Sequence, residues 1–390
     1  MPMDSVNEPN RVTDPSSPVR DEGPSATAEP LEAGPALCLS GGGYRAMVFH
    51  VGVLWRLNQA RYLPRLARIS SVSGGSITAG VLALHWKDLA FDAGIAKAFP
   101  EQVVGPIRDL AGRTLDANSI LGGLLLPGSI GEKVAAAYDR HLFHGATLQD
   151  LPDTPRFVIN ATNVQSGALW RFSKPFMADY RVGRVDGPTL PLALAVAASS
   201  AFPPVLSPVE LDLEPGQVRA QPGNDLCRAP YTTHVVLTDG GVYDNMGLET
   251  VWKRYQTVLV SDAGGKTQPE DEPGEDWARH SLRILNLVDN QVRSLRKRQV
   301  IAAFKDGTRQ GAYWGIRTDI DDYQLATAFP SPFARTLELA NLPTRLQRME
   351  PEIQERLINW GFAVCDAALR RHVEPGLPKP DGLPYPARGI

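Results

Sequence analysis

The chain has 390 residues, 43% of them hydrophobic, and a formal net charge of −3. That content suffices for a large buried core, and the slight acidity argues against a general nucleic-acid binder, which would be basic. Its three cysteines, Cys38, Cys227 and Cys365, are far apart, form no close metal-binding pair, and fit a reducing compartment better than a disulfide scaffold.

Residues 1–34 are rich in Pro, Ser, Glu and Asp and poor in large apolar side chains. Such a segment buries too little surface to offset its ordering entropy, so it reads as a flexible tail. Asp4 and Glu8 stand where a secretory signal would carry basic residues before an apolar run. No apolar stretch is long enough, and free enough of proline, to span a bilayer. The expectation is a cytoplasmic protein with at most peripheral membrane contact. Residues 35–374 read as the folded domain, and 375–390, rich in Pro and Gly, as an irregular tail.

Inside the domain, Ala36–Leu39 is a buried-strand candidate that runs into Ser40 and three glycines. A helix follows, with Met47, Val51, Leu54 and Trp55 on one face. Arg68–Val72 reads as a second strand and Gly74 to Trp86 as a second helix. The stretch from Phe91 to Phe143 reads as mainly helical, interrupted by the apolar, Gly-rich loop Leu121–Gly128, which reads first as core packing, with an apolar channel or a bilayer interface as the alternatives. Arg156–Ala161 and Leu169–Phe172 read as strands around a Gly turn, and Val235–Leu237, Thr257–Val260 and Leu282–Val288 as further strands. A helix from Pro351 places Ile353, Leu357, Trp360, Val364 and Ala367 at core-packing spacing. Strands alternating with helices imply an α/β three-layer sandwich: a largely parallel central sheet covered on both faces, with a helical insertion and a helical C-terminal region.

Three motifs carry chemistry. Ser71-Val72-Ser73-Gly74-Gly75 lies where a strand turns into a helix. A nucleophile elbow turns so sharply that the residues two before and two after its serine must be small, as Ser71 and Gly75 are. The plainer reading is a Ser/Gly turn in which Ser73 or Ser76 caps the helix. Gly41-Gly42-Gly43 sits between a strand and a helix. Its amides could hold an oxyanion, or the run could be only a turn; it lacks the Gly-Lys-Ser/Thr of a phosphate loop. Arg45 could pin this loop by a buried ion pair or hold an anionic head group. Asp239 ends an apolar run and precedes Gly240 and Gly241, which places a carboxylate at the sheet edge where α/β folds bind ligands. Asp244 reads as a cap or a supporting residue.

Taken together, Gly41-Gly42-Gly43-Tyr44-Arg45, Ser71-Val72-Ser73-Gly74-Gly75 and Asp239-Gly240-Gly241 resemble, in order, the motifs of the patatin-like phospholipases, and more distantly the catalytic core of the cytosolic phospholipases. Ala161-Thr162-Asn163 through Phe172 resembles the family's strand pair, and Ala198-Ser199-Ser200-Ala201-Phe202-Pro203-Pro204 its helix end before the second catalytic residue. The resemblance spans about residues 35 to 262. This chain departs from the family pattern at Ser71, where glycine is usual, and at Ala46.

The resemblance implies a serine acyl hydrolase acting on lipid or phospholipid esters, with no metal or cofactor. Ser73 would be its nucleophile, Asp239 its base in a Ser–Asp dyad, and Gly41, Gly42 and Gly43 its oxyanion loop. Arg45, Gly75, Gly240 and Gly241 would support it. The competitors are a Ser–His–Asp esterase using His280 or His372, a nucleotide-binding module built on the Gly41 loop, and a non-catalytic lipid binder that keeps the fold. Arg293, Arg296, Lys297 and Arg298 form a basic cluster on a helix, either a solvated face or an attraction for anionic lipid.

Overall fold

The computed structural model describes residues 31–115 and 129–390. Its strands in chain order are β1 (Glu32–Leu39), β2 (Arg68–Val72), β3 (Phe91–Asp92), β4 (Ile95–Ala96), β5 (Arg156–Asn163), β6 (Ala168–Phe172), β7 (Phe176–Asp179), β8 (Gly183–Asp186), β9 (Val209–Asp212), β10 (His234–Asp239), β11 (Tyr255–Asp262) and β12 (Gln310–Gly315). The α-helices are α1 (Gly43–Gln59), α2 (Gly74–Leu84), α3 (Gly105–Ala111), α4 (Ile130–Tyr138), α5 (Leu192–Ser199), α6 (Gly241–Asp244), α7 (Glu249–Trp252), α8 (Trp277–Asp306), α9 (Phe333–Ala340) and α10 (Pro351–Ala368).

Alternation along β1 sets the layers. Leu37 and Leu39 point into a large core with residues of α1, α2 and α10, while Ala36 and Cys38 point into a smaller one with Met246, Leu248, Val251 and Val300. The sheet is thus covered on both faces, as continuous apolar strands require. Its centre, β12-β11-β1-β2-β5, is parallel, and β6, β7 and β8 extend it antiparallel.

β5 is the strand that positions the site, because it changes partner along its length. Up to Asn160 it pairs parallel with β2, Asn160 lying opposite Val72. From Ala161 it pairs antiparallel with β10, Ala161 lying opposite Asp239. The residue after Val72 and the last residue of β10 are therefore brought to neighbouring points of one strand.

Helix α10 packs on α1 at backbone contact. A Cβ on Gly52 would stand 1.9 Å from Ile358 O, and one on Gly361 would stand 2.1 Å from Phe49 O. Overpacking so close a crossing typically costs about 1–3 kcal/mol, sometimes more. Gly52→Ala is expected to cost about 3 kcal/mol, read as a lowered midpoint of chemical denaturation with an unchanged slope.

Three expectations need correcting. Leu282–Val288 is not a strand but part of α8. A short run of Leu, Ile and Val has no period that separates strand from helix. The deciding signals stand at its ends: the Asp276 side chain accepts the Arg279 N–H at 2.9 Å, and Gly307 stops the helix at φ 79°. The stretch after Phe91 opens with the β3–β4 hairpin rather than a helix. The first strand begins at Glu32, inside the segment read as a tail, with Glu32 opposite Tyr255. Residues 375–390 carry no helix or strand, yet Asn359 Nδ2 donates to Tyr385 O and Gly389 O and Ile390 is buried. The Leu121–Gly128 loop lies outside the described residues. No helix among the described residues is long and apolar enough to cross a membrane.

Candidate active site

Ser73 stands between β2 and α2 with φ 51° and ψ −121°, a conformation that L-residues rarely adopt. Such strain survives only where the surroundings over-determine it, and here they do. The Ser73 N–H donates to Ser199 Oγ at 3.0 Å, and Ser199 Oγ donates to Asn160 O at 2.7 Å. Ser71, where the family has glycine, is accommodated by its hydroxyl. It donates to Val158 O and accepts from Ser76 Oγ at 3.0 Å. Ser76 Oγ also lies 2.9 Å from Ser199 Oγ, so it is a buried member of this network. Close approach explains Gly75 and Gly240: a Cβ would stand 2.5 Å from Leu39 O on the first and 2.2 Å from Asn160 O on the second.

The structure brings Asp239 beside Ser73. Oδ1 of Asp239 accepts the Gly241 N–H at 2.6 Å. Oδ2 is buried and accepts no hydrogen bond of ordinary geometry among the described residues, although the Ser73 hydroxyl is close enough to lower the carboxyl's pKa. The Ser73 hydroxyl thus acts on the Asp239 carboxyl without a hydrogen bond of ordinary geometry to Oδ2. Burial dominates the electrostatics. It pushes Asp239 up to about 7, against the lowering effect of the Gly241 N–H and Ser73, with a further push from Asp289.

The glycine run lies against this pair: a Cβ on Gly41 would stand 3.0 Å from Ser73 Cβ. Its three amides differ. The Gly41 N–H donates to Asn245 O at 3.0 Å and is not free for an oxyanion. Those of Gly42 and Gly43 have no acceptor among the described residues. Gly42 has φ 143°, and a Cβ there would meet Ala263 O at 2.9 Å. Gly42→Ala is expected to displace the loop and to lower kcat on a short-chain ester by about two to three powers of ten with the fold intact by circular dichroism.

Arg45 pins the loop, but through carbonyls rather than an ion pair. Its guanidinium donates to Ala340 O and Leu342 O on one side and Ala263 O on the other. Burial, with Arg317 and Arg293 nearby, brings its pKa down to about 10. Asp244 caps a turn: its carboxylate accepts the Met246 and Glu249 N–H groups. His280 lies exposed on α8, and His372 lies exposed beside Tyr323. The large groove that His372 lines, with Tyr62, Thr257 and Phe304, opens toward the N-terminal ends of β1, β11 and β12, away from Ser73. His50, nearer the site, is a buried neutral link from Ser40 O to Ser261 Oγ, its pKa pushed down to about 4 by burial.

Two participants escaped the sequence reading. Ser199 was legible only as part of a helix-end pattern, not as the acceptor that holds the Ser73 amide. Asn245 was not singled out, although it stands six residues after Asp239. Its carbonyl holds Gly41, and its Oδ1 lies 2.4 Å from a Gly41 Cβ position and 2.7 Å from a Gly241 one, between the glycine loop and the Asp239 turn.

The model of the patatin-like phospholipase family matches residues 37–252, more than half of the chain and all three motifs. This chain belongs to the patatin-like phospholipase family. Among solved structures, this patatin-like chain is similar to human GIVD cytosolic phospholipase A2. In complex with methyl gamma-linolenyl fluorophosphonate and terbium chloride, that protein gives 14% identity and a TM-score of 0.49 over 85% of this chain and 57% of that one. Another structure of that protein gives 12% identity and a TM-score of 0.45 over 84% and 58%. VipD from Legionella pneumophila gives 14% identity and a TM-score of 0.34 over 88% and 68%. The chain spans less than three fifths of the length of the human enzyme's chain. No curated protein matches it.

Proposed function

We propose that this protein is a serine acyl hydrolase that cleaves ester bonds of lipids, phospholipids among them, through a Ser73–Asp239 dyad and an acyl-enzyme intermediate. The observation that carries the reading is the strained Ser73 set against a buried carboxylate with a free oxygen and a pKa near 7. A base with a pKa near the working pH is the effective one.

In this scheme Asp239 Oδ2 takes the Ser73 Oγ proton as Oγ attacks the ester carbonyl carbon. The carbonyl π electrons move to oxygen, and the resulting anion is held by the Gly42 and Gly43 amides, with the positive end of α2 behind them. Collapse breaks the bond to the alcohol, which leaves with the proton from Asp239. Water then gives a proton to Asp239 and attacks the acyl-serine; collapse frees the fatty acid and returns the proton to Oγ. A histidine base has little support, since His280 and His372 both lie exposed and His372 lines the groove at the opposite ends of the strands.

Hydrolysis of a panel of lipid esters by the purified protein, with labelling by a fluorophosphonate, tests the reading. Release of fatty acid together with label on Ser73 is expected. A folded protein that neither hydrolyses any ester nor takes the label would leave the non-catalytic lipid binder as the better reading. His280→Ala and His372→Ala should leave turnover unchanged.

A further inference from the structure

Helix α8 is built inside out along most of its length. Of its large apolar residues Val300 is buried, near the C-terminal end. Toward the N-terminus Trp277 is 83% exposed, Ile284 45%, Val288 54% and Leu295 58%. These four recur at i, i+7, i+11 and i+18, which places them on one line along the helix. Leu285, Val292 and Leu287, also exposed, widen the line into a face. At about 1.5 Å per residue it runs about 27 Å. Isolated exposed apolar residues need no explanation, but a contiguous face of this size marks an interaction surface.

Two observations identify the partner. The first is charge. The helix carries seven Arg and Lys residues against Asp289 and Asp306 alone. Arg279, Arg283, Arg293 and Arg296 are paired with Asp276, Glu270, Asp262 and Glu249, whereas Arg298 and Lys305, which lie along one edge of the apolar face, have no carboxylate partner among the described residues. A second copy of the helix laid on this face would bring no carboxylate to that basic edge, whereas an anionic surface would complement it.

The second observation is continuity with the catalytic centre. α8 packs on α6, the short helix that follows Asp239, and its Asp289 is near enough to Asp239 to act on it electrostatically. Around the same centre Val242 on α6, and Phe202 and Val205 after α5, are exposed as well. Exposed apolar residues thus stand both on α8 and around the site, on elements that pack together.

We infer that α8 is an interfacial docking helix, which lays Trp277, Ile284, Val288 and Leu295 into the surface of an anionic lipid bilayer and seats the rim of the Ser73 site on it. Apolar residues on one side with unpaired cations along an edge are what such a helix needs: burial in the acyl boundary supplies affinity and the basic edge selects anionic lipid. The inference goes beyond the hydrolase reading, because binding is measured on a protein that need not turn over.

The experiment is sedimentation of the full chain carrying Ser73→Ala with vesicles of phosphatidylcholine and phosphatidylglycerol at 3:1, and with phosphatidylcholine alone. Binding to the anionic vesicles is expected, weakened by added salt and lowered by about tenfold or more in the double variant Ile284→Ser, Val288→Ser. In the otherwise wild-type chain the same double change should leave hydrolysis of a soluble short-chain ester unchanged, which shows that fold and site are intact. A milder pair, Ile284→Ala and Val288→Ala, covers the case in which the serines impair folding. Absence of vesicle binding, or binding untouched by either pair, would overturn the inference. So would a dimer in vesicle-free sedimentation equilibrium that either pair converts to monomer, since a second copy would then own the face. Loss of short-chain ester hydrolysis in Ser73→Ala is read separately, so the docking helix and the dyad can fail independently.

Discussion

Ser73→Ala is expected to lower kcat for ester hydrolysis by about four to six powers of ten, because removing the nucleophile of a serine hydrolase leaves only the residual effect of binding and the oxyanion donors. The variant should still fold, since the network that fixes this turn uses the Ser73 amide rather than its hydroxyl: Ser199 Oγ accepts from N–H. A second substitution separates chemistry from strain. Ser73→Gly removes the hydroxyl and also the Cβ that makes φ 51° costly, so it should be as inactive as alanine and more stable than it by about 1 kcal/mol. Rates on a soluble ester and thermal melts of the three proteins check both parts. A fall of less than about a hundredfold in Ser73→Ala would remove Ser73 from the nucleophile's role. Equal melting of Ser73→Ala and Ser73→Gly would remove the argument from strain.

How much of this was legible in the sequence follows from which interactions are local. The glycine run, the serine elbow and Asp239 with its two glycines could be read because each is a turn whose backbone demands small residues at fixed offsets. That they meet could be taken only from the family resemblance, since the meeting depends on β5 giving up β2 for β10 between Asn160 and Ala161. Nothing in Arg156–Asn163 announces that exchange; it is a pairing decision made by residues about eighty positions away on either side. The same limit hid Ser199 and Asn245, whose hydroxyl and carbonyl matter through partners more than 120 residues distant. It also left Arg45 undecided, because whether a buried guanidinium finds carboxylates or carbonyls depends on loops 218 to 297 residues away. Helix α8 shows the opposite failure. Its apolar run is visible and reads as a strand, since packing against neighbours is the default fate of Leu, Ile and Val. The end signals at Asp276 and Gly307 were the better evidence, and they do not depend on what the helix packs against.

Asp239→Asn should be nearly inactive and more stable than the parent, and both effects follow from one number. In the folded chain the carboxyl is carried from 3.8 up to about 7, chiefly by burial. As a base it must be ionised, so kcat/KM for a soluble ester should fall about tenfold per pH unit below about 7 and level off above it, while the asparagine variant runs about three powers of ten lower at the plateau. For stability the sign is the reverse of the usual paired carboxylate. Between pH 3.8 and about 7 the folded state holds a proton that the unfolded state has released, so the parent loses stability as pH rises through that window and does not regain it above. The full shift corresponds to about 4 kcal/mol. Asparagine carries no charge at any pH and its Oδ1 can still accept the Gly241 N–H, so the variant escapes most of that loss. Its advantage should be small near pH 4, open through pH 7, and reach about 2–4 kcal/mol at pH 8, read from denaturant midpoints at each pH. An advantage independent of pH would mean that Asp239 does not carry the raised pKa. A variant that kept the parent's turnover would mean that the proton from Ser73 goes elsewhere.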